Sequence, residues 1–405
     1  MRVLMFSPGF PVEMQRFTVG LSEVGAEVVG LGDAPTEHLP PEVARRLSAN
    51  IRVPQLWDEV GVVAAVREHH ERRPFDRVEC LWEPGMLLAA KLREALGVPG
   101  MTVEQTLPFR DKERMKAKLD ACGIRTPHHI RASGAREIRE AAERIGFPLI
   151  VKPVDGAGSR DTHRVDDAGA LDQVLPRIAH VPSVSVEEYV DGEEFTYDSI
   201  CANGVIRYFN IAWYRPKPLI GRSVESISPM TVTLRNVDQP LLAPGREMGP
   251  AVIEALGFRT GFTHMEWFLT PDGEAVFCEI AARPPGARSV DLMNYGSDID
   301  TYVGWAEAAC HGTFGQPVER RHNVAVVFKR ARGSGRIRAI EGLERLLGRY
   351  GSHVVCVDLL PPGAPRRDWR QTLVSDGYVI VRHPDLRTTL DIADRFGTDL
   401  LMHAS

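Results

Sequence analysis

Short apolar runs alternate with amphipathic stretches from the first residues onward. Residues 2–6 form an apolar run, Phe17, Leu21 and Val24 fall at helical spacing before Gly25, and residues 28–31 form the next apolar run. This strand–helix–strand opening predicts a doubly wound parallel sheet, in which ligands gather at the carboxyl ends of strands. The same pattern continues through a helix over 56–71, a strand over 77–82 and a helix over 86–96. Gly97-Val-Pro-Gly100 then closes the unit.

Past residue 108 the pattern changes. A helix with Met115, Leu119 and Cys122 on one face stops at Gly123, a strand follows Pro127, and a helix over 135–145 leads into the apolar run 149–151. A helix over 167–178 and a strand over 185–190 come next. Hairpins then dominate: 193–202 with 205–213 across Asn203-Gly204, and 261–269 with 274–280 across Pro271-Asp272-Gly273. A helix around 248–256 lies between them. The remainder alternates strands (323–328, 351–359, 377–382) with helices (302–311, 341–350, 386–396). The expected class is α/β with a Rossmann-like first unit over 1–108, followed by α+β units over 109–189 and 190–405.

Composition narrows the function classes. A chain of 405 residues exceeds one ordinary core. The net charge of −5, with both signs interspersed, makes no case for nucleic acid or an anionic membrane surface. No apolar run approaches the roughly 20 residues needed to span a bilayer. The opening residues are too short for a signal peptide before Ser7-Pro8-Gly9. The six cysteines are scattered without a Cys-x-x-Cys pair, which argues against a zinc site or disulfide framework and for a reducing cytoplasm.

Two stretches carry candidate chemistry. The run 149–151 delivers Lys152, then Pro153 and the small segment Asp155-Gly156-Ala157-Gly158-Ser159. Glycines let consecutive N–H groups converge on an anion, and a strand-borne lysine beside them suits a polyphosphate. Taken alone the stretch is equally a strand ending in a Pro/Gly turn, and no Gly-Lys-Ser/Thr makes it a P-loop. In the hairpin 261–280, alternation puts His264, Glu266 and Phe268 on one face, with Glu279 able to face the same way. Like charges there repel unless a cation lies between, and Mg²⁺ completed by phosphates and water fits hard carboxylate oxygens. Two exposed glutamates on an edge hairpin are the plain alternative, weakened by the apolar neighbours Met265, Trp267, Phe277 and Ile280. His264 is a metal ligand or, better, a packed and hydrogen-bonded histidine.

Arg283, in the first turn after Glu279, can hold a phosphorylated group bidentately. Glu83, at a strand's carboxyl end, is either a ligand contact or a carboxylate at a helix N-terminus. Arg215, Lys217, Arg222 and Arg235 are candidates for a substrate carboxylate or plain surface cations. Arg330, Arg332 and Arg336 read as a solvated loop.

In order, Asp111-Lys112, Gly123-Ile-Arg-Thr-Pro127, Pro148-Leu-Ile-Val-Lys152-Pro, Gly156-Ala-Gly-Ser159, Val186-Glu-Glu-Tyr-Val190-Asp-Gly-x-Glu194, Glu266 and Glu279-Ile-Ala-Ala-Arg283 resemble the ATP-grasp superfamily over roughly residues 1–300. Within it, Trp82-Glu-Pro-Gly85, Leu96-Gly-Val-Pro-Gly100 and Glu279-Ile-Ala-Ala-Arg-Pro-Pro-Gly286 resemble the L-amino-acid ligases of the alanine–anticapsin ligase type.

The resemblance implies an ATP-grasp fold and a set of roles. Lys112 and Lys152 would bind ATP phosphates, and the loop of Gly156, Gly158 and Ser159 would close over them. Glu187 to Val190 would be the adenine hinge, with backbone groups of Glu188 and Val190 reading the base, and Glu194 would lie near the ribose. Glu266 and Glu279 would hold Mg²⁺, with Mn²⁺ as a substitute, and Arg283 would stabilise an acyl phosphate and the adduct after it. Many relatives carry Asn two residues after the second metal glutamate, where this chain has Ala281. The implied function is an ATP-dependent carboxylate–amine ligase acting on amino acids or amino-acid-like metabolites, cytoplasmic, and related to proteins that are often homodimers. A biotin-carboxylase-like enzyme is the alternative, against which stand the lack of a Met-Lys-Met site and a shorter glycine loop. A non-catalytic nucleotide-binding protein is the other, against which stands the complete set Lys112, Lys152, Glu266, Glu279 and Arg283.

Overall fold

The computed structural model describes every residue except Ala157, Ser159 and Arg160. Its first sheet is parallel, in the order Leu47–Arg52, Glu27–Gly32, Arg2–Phe6, Arg77–Glu79. The apolar runs are continuous because both faces are covered. Helices Glu59–Arg72 and Met86–Leu96 pack against Leu4, Phe6, Val29, Leu31 and Val78 on one side. On the other, Val3, Met5 and Val28 meet Phe17, Leu21 and Trp305, from helices Gln15–Glu23 and Thr301–His311. Helix Thr301–His311 also touches Ile200, Ala202 and Phe262, so it clamps this sheet to the large one. The approach is close: a Cβ on Gly20 would lie 2.7 Å from the Tyr302 carbonyl oxygen.

Two local expectations shift here. The helix expected from residue 56 starts at Glu59, because the Asp58 carboxylate accepts the Gly61 N–H at 3.1 Å and caps it. The strand Leu47–Arg52 was not expected, since as an edge strand it buries only Ile51 and so lacks a clear apolar pattern.

A second, antiparallel sheet runs His129–Ala132, Val184–Glu188, Leu149–Pro153, His163–Val165. Helices Gly134–Ile145 and Ala168–Val174 cover Leu149, Val151, Val184 and Val186 on one face. Period-two alternation then turns Ile150, Lys152 and Glu187 to the other face, over a cleft.

The third sheet has eight strands, in the order Ala275–Ala281, Gly261–Leu269, Glu193–Ala202, Val205–Arg215, Met230–Thr233, Asn323–Phe328, Gly377–His383, Val354–Leu359. The C-terminal strands therefore complete the sheet that bears Glu266 and Glu279. Met230–Thr233, which reads as irregular chain, is the link between the two halves, and all four of its residues are buried. Its two threonines hide it from a hydrophobicity pattern. Helices Ala243–Leu256 and Leu386–Asp399 pack on one face of this sheet. Gly245 and Gly249 let the first of them settle closely, for a Cβ there would come within 2.1 Å of the Trp267 ring and 2.6 Å of the Tyr197 ring. A small sheet of Arg332–Gly333, Leu401–Ala404 and Ile337–Glu341 closes the chain. Among the described residues no helix is long and apolar enough to cross a membrane.

Candidate active site

Two cavities meet beside the hairpin. The narrower, about 100 Å³, lies between the second and third sheets and is lined by Ile150, Lys152, Glu188, Val190, Glu194 and Phe268 among others. The wider, about 610 Å³, opens toward the first sheet and includes Trp82, Phe109, Met115, Met230 and Arg283. Both are lined by Lys112, Gly156, Gly158, Glu266 and Glu279, which makes these residues the junction.

Asp111 caps helix Lys112–Asp120 by accepting the Glu113 and Arg114 N–H groups, which sets Lys112 in the first turn. Its ammonium donates to the Gly156 carbonyl at 2.5 Å and sits 3.2 Å from Glu279 Oε2. One cation thus ties the glycine loop to the hairpin. Lys152 faces Glu187 instead, at 3.0 Å, and the other Glu187 oxygen accepts from Lys116 Nζ and from Ser185 Oγ, each at 2.8 Å. Burial opposes charge on all three groups. Burial would lower the Lys152 ammonium most, but Glu187 and Glu279, with Cys278, together raise it, and the Glu187 carboxyl is held far below its usual range by both lysines. The ammonium of Lys116, which is wholly buried, is lowered by burial.

The Glu187 side chain is a counter-ion to two lysines, so it orients Lys152 rather than meeting a ligand freely. Glu188 points its carboxylate at Arg125, 3.0 Å away, and its N–H donates to the His128 carbonyl at 2.8 Å. Any backbone reading of a base by Glu188 therefore falls to its carbonyl. Val190 and Glu194 line the narrow cleft, while Ser159 lies outside the described residues.

Glu266 and Glu279 are direct cross-strand partners, with a bulge immediately after them. Burial would push the Glu279 carboxyl up, but Lys112 and Lys152 bring it down to about 2. Burial, then Glu266 and Glu279, pushes the Glu194 carboxyl well above its ordinary range. Glu266 accepts from the Tyr214 hydroxyl at 3.0 Å and lies 3.4 Å from His264 Nε2. His264 Nδ1 is 2.6 Å from Asp198 Oδ1; burial would lower this imidazole, but Asp198 and Glu266 push it up to about 9. Among the described residues no group of three or more His, Cys, Asp or Glu is placed to hold a metal ion. The pair fits a Mg²⁺ ion with two carboxylate ligands and the rest from phosphate and water; it does not fit a closed protein cage.

Across the wide cavity, Arg283 Nε donates to Glu83 Oε2 at 2.9 Å and Nη2 lies 2.8 Å from the same oxygen, and Arg110 pairs with the other Glu83 oxygen. Glu83 thus touches Arg283 rather than capping a helix. Of the four basic candidates only Arg222 lines this cavity. Arg215 pairs with Asp394 at 3.2 Å, Lys217 with Asp191 at 3.0 Å, and Arg235 bonds the Arg320 carbonyl at 3.2 Å. Arg330, expected in a solvated loop, lies in the cavity wall against the Trp369 ring. Lys116, Arg110, Tyr214 and Asp198 were not singled out from sequence. Only Lys116 had a local signal, being one helical turn past Lys112.

A family model described as the ATP-grasp N-terminal domain matches residues 22–100. An L-arginine-specific L-amino acid ligase of Bacillus subtilis is 30% identical over 220 residues, covering 53% of this chain and 52% of that protein. An alanine–anticapsin ligase of Bacillus subtilis (strain 168) is 28% identical, covering 55% and 51%. The match thus spans about half the length of these two ligases. A formate-dependent phosphoribosylglycinamide formyltransferase of Synechocystis is 25% identical, with 69% of each chain covered. Among solved structures, an L-amino acid ligase from Bacillus licheniformis superposes with a TM-score of 0.79 at 20% identity, covering 100% of this chain and 99% of that one. An N5-carboxyaminoimidazole ribonucleotide synthetase from Thermotoga maritima gives 0.70 at 17% identity, with the same coverage. The chain has the ATP-grasp fold, and its resemblance to ATP-grasp ligases, L-amino-acid ligases among them, is borne out.

Proposed function

We propose that this chain is an ATP-dependent carboxylate–amine ligase that joins amino acids or amino-acid-like molecules through an acyl phosphate. The observation that carries this is the junction itself. Lys112 links the loop carbonyl of Gly156 to Glu279 where a narrow cleft meets a cavity containing Arg283. A cavity of about 610 Å³ suits an acid and an amine held together.

The roles follow from position. Ile150, Val190 and Phe268 supply apolar walls for a base, with the Glu188 carbonyl on its edge and Glu194 toward the sugar. Lys112 and Lys152 meet the phosphates, joined by Gly156 and Gly158 of the glycine loop. Glu266 and Glu279 would hold Mg²⁺, or Mn²⁺ in its place, which lowers the barrier by spreading charge on the transferred phosphoryl group. A substrate carboxylate oxygen bonds to the γ-phosphorus as the bond to ADP breaks. The amine nitrogen then bonds to the acyl carbon, phosphate leaves, and the amine gives up a proton. Arg283, released from Glu83, is placed to stabilise the charge that builds on the acyl phosphate and the tetrahedral adduct.

Phosphate release with Mg-ATP, across amino acids singly and in pairs and with formate and bicarbonate as separate arms, tests this reading. Release with particular pairs, and a condensed product of matching mass, is the expected result. Release with bicarbonate alone would replace it with a carboxylating enzyme, and ATP binding without any release would leave a binding protein.

A further inference from the structure

Two adjacent rungs of side chains cross four strands of the large sheet on one face. One is Asn210, Asp198, His264 and Ala281; the next is Ala212, Thr196, Glu266 and Glu279. The second ends on the carboxylate pair. The first holds Asp198, which is wholly buried, and its contacts run to Glu266.

Each Asp198 oxygen is assigned. Oδ2 accepts from Thr196 Oγ1 at 2.8 Å and Asn210 Nδ2 at 3.4 Å, and Oδ1 faces His264 Nδ1 at 2.6 Å. With its ring orientation set, His264 presents Nε2 to Glu266 Oε1 at 3.4 Å, on the oxygen that also receives the Tyr214 hydroxyl. Asp198 thus sets the ring that lies between it and Glu266, as an outer partner orients an inner one. Across the hairpin His264 faces Ala281, which offers no polar group to the rung. For folding alone this arrangement is a poor bargain, because well-packed apolar side chains often stabilise a core as much as a buried ionic network does.

We propose that Asp198 is a positioning residue that acts through His264 to fix Glu266 Oε1 for the divalent cation. This rests on the metal role proposed for Glu266. Oε1 is the oxygen that both His264 and Tyr214 reach, so two neighbours hold its position.

The test is Mn²⁺ binding to the full chain in the presence of ADP, followed by electron paramagnetic resonance, with no turnover required. Asp198→Asn and His264→Gln should each weaken Mn²⁺ about 10- to 100-fold, the range for outer partners of metal ligands. ADP binding in the presence of a chelator should not change. The double variant should be no weaker than His264→Gln alone, since both act along one path. Unchanged Mn²⁺ affinity in Asp198→Asn, strictly additive losses, or a parallel loss of metal-free ADP binding would each overturn the proposal. Wild-type protein that takes up no Mn²⁺ with ADP would instead sink the metal reading beneath it. Should Asp198→Asn fail to fold, Thr196→Val keeps the charge, removes the nearer of the two donors to Oδ2, and should weaken Mn²⁺ less but in the same direction.

Discussion

Lys152 Nζ lies 3.0 Å from Glu187 Oε2 in a buried pair, and the same carboxylate also serves Lys116. One carboxylate compensates two ammonium groups, so its loss leaves more buried charge than it removes. Glu187→Gln should therefore destabilise the chain by about 3–5 kcal/mol, as breaking a buried pair does. Adding Lys116→Met should recover part of that loss while ATP affinity stays impaired through Lys152. Chemical denaturation of the three proteins checks this; a double variant less stable than Glu187→Gln would contradict it.

The same network sets a pH dependence. The Glu187 carboxyl is held below the ordinary 4.5, so as pH falls the unfolded chain takes up its proton first. The stabilisation is full above pH 4.5 and fades below it. Lys152 is raised above 10.5, so its share is present below that pH and lost above it. Lys116, lowered by burial, works the other way at the alkaline end, which leaves the acid limb as the clean test. The stability gap between wild type and Glu187→Gln should narrow as pH drops below 4.5. A gap that stays constant down to about pH 3 would show that the carboxylate's charge is not its source.

Arg283 meets one Glu83 oxygen through a hydrogen bond from Nε and an ion-pair contact from Nη2, a geometry that an ammonium cannot copy. Arg283→Lys should lower kcat about 100- to 1000-fold, the scale for one lost oxyanion donor. Nucleotide affinity should hold, because Arg283 lines the wide cavity and not the narrow cleft. Single-turnover phosphate release beside nucleotide titration separates the two, and a weakened ADP affinity with normal kcat would relocate Arg283 to the nucleotide.

Glu279→Gln removes a presumed metal ligand and the partner of Lys112 together. Apparent Mg²⁺ affinity should fall about 10-fold or more. The Glu194 carboxyl should titrate closer to its ordinary range once one of the two carboxylates that raise it has gone. Infrared difference titration of the carboxyl band reads this directly, and an unmoved band would mean that Glu279 has no part in raising it.

Gly245→Ala would drive a methyl into the Trp267 ring, behind the strand that carries Glu266. Overpacking of this kind should destabilise by about 1–3 kcal/mol. Denaturant midpoints check it, with Gly348→Ala, which meets nothing within 4 Å, as the control.

Much of the site was legible because it rests on local rules. Alternation along 261–269 and across the Pro271-Asp272-Gly273 turn put Glu266 and Glu279 on one face, and the observed register pairs them. The run into Lys152 ended in the glycine loop for the same kind of reason. Less legible were strands with weak apolar contrast, Leu47–Arg52 at an edge and Met230–Thr233 with its threonines.

What the sequence by itself determined is the order of elements and the identity of the charged side chains that reach the cleft. Both follow from period-two and period-3.6 patterns and from turn residues, which act over a few positions. Only the tertiary structure decided what those charges do to each other. Lys116 meets Glu187 across 71 residues of chain, and Arg283 meets Glu83 across 200. No local pattern selects partners at such separations; burial does, because a charge removed from water persists only where the packed fold brings another to meet it.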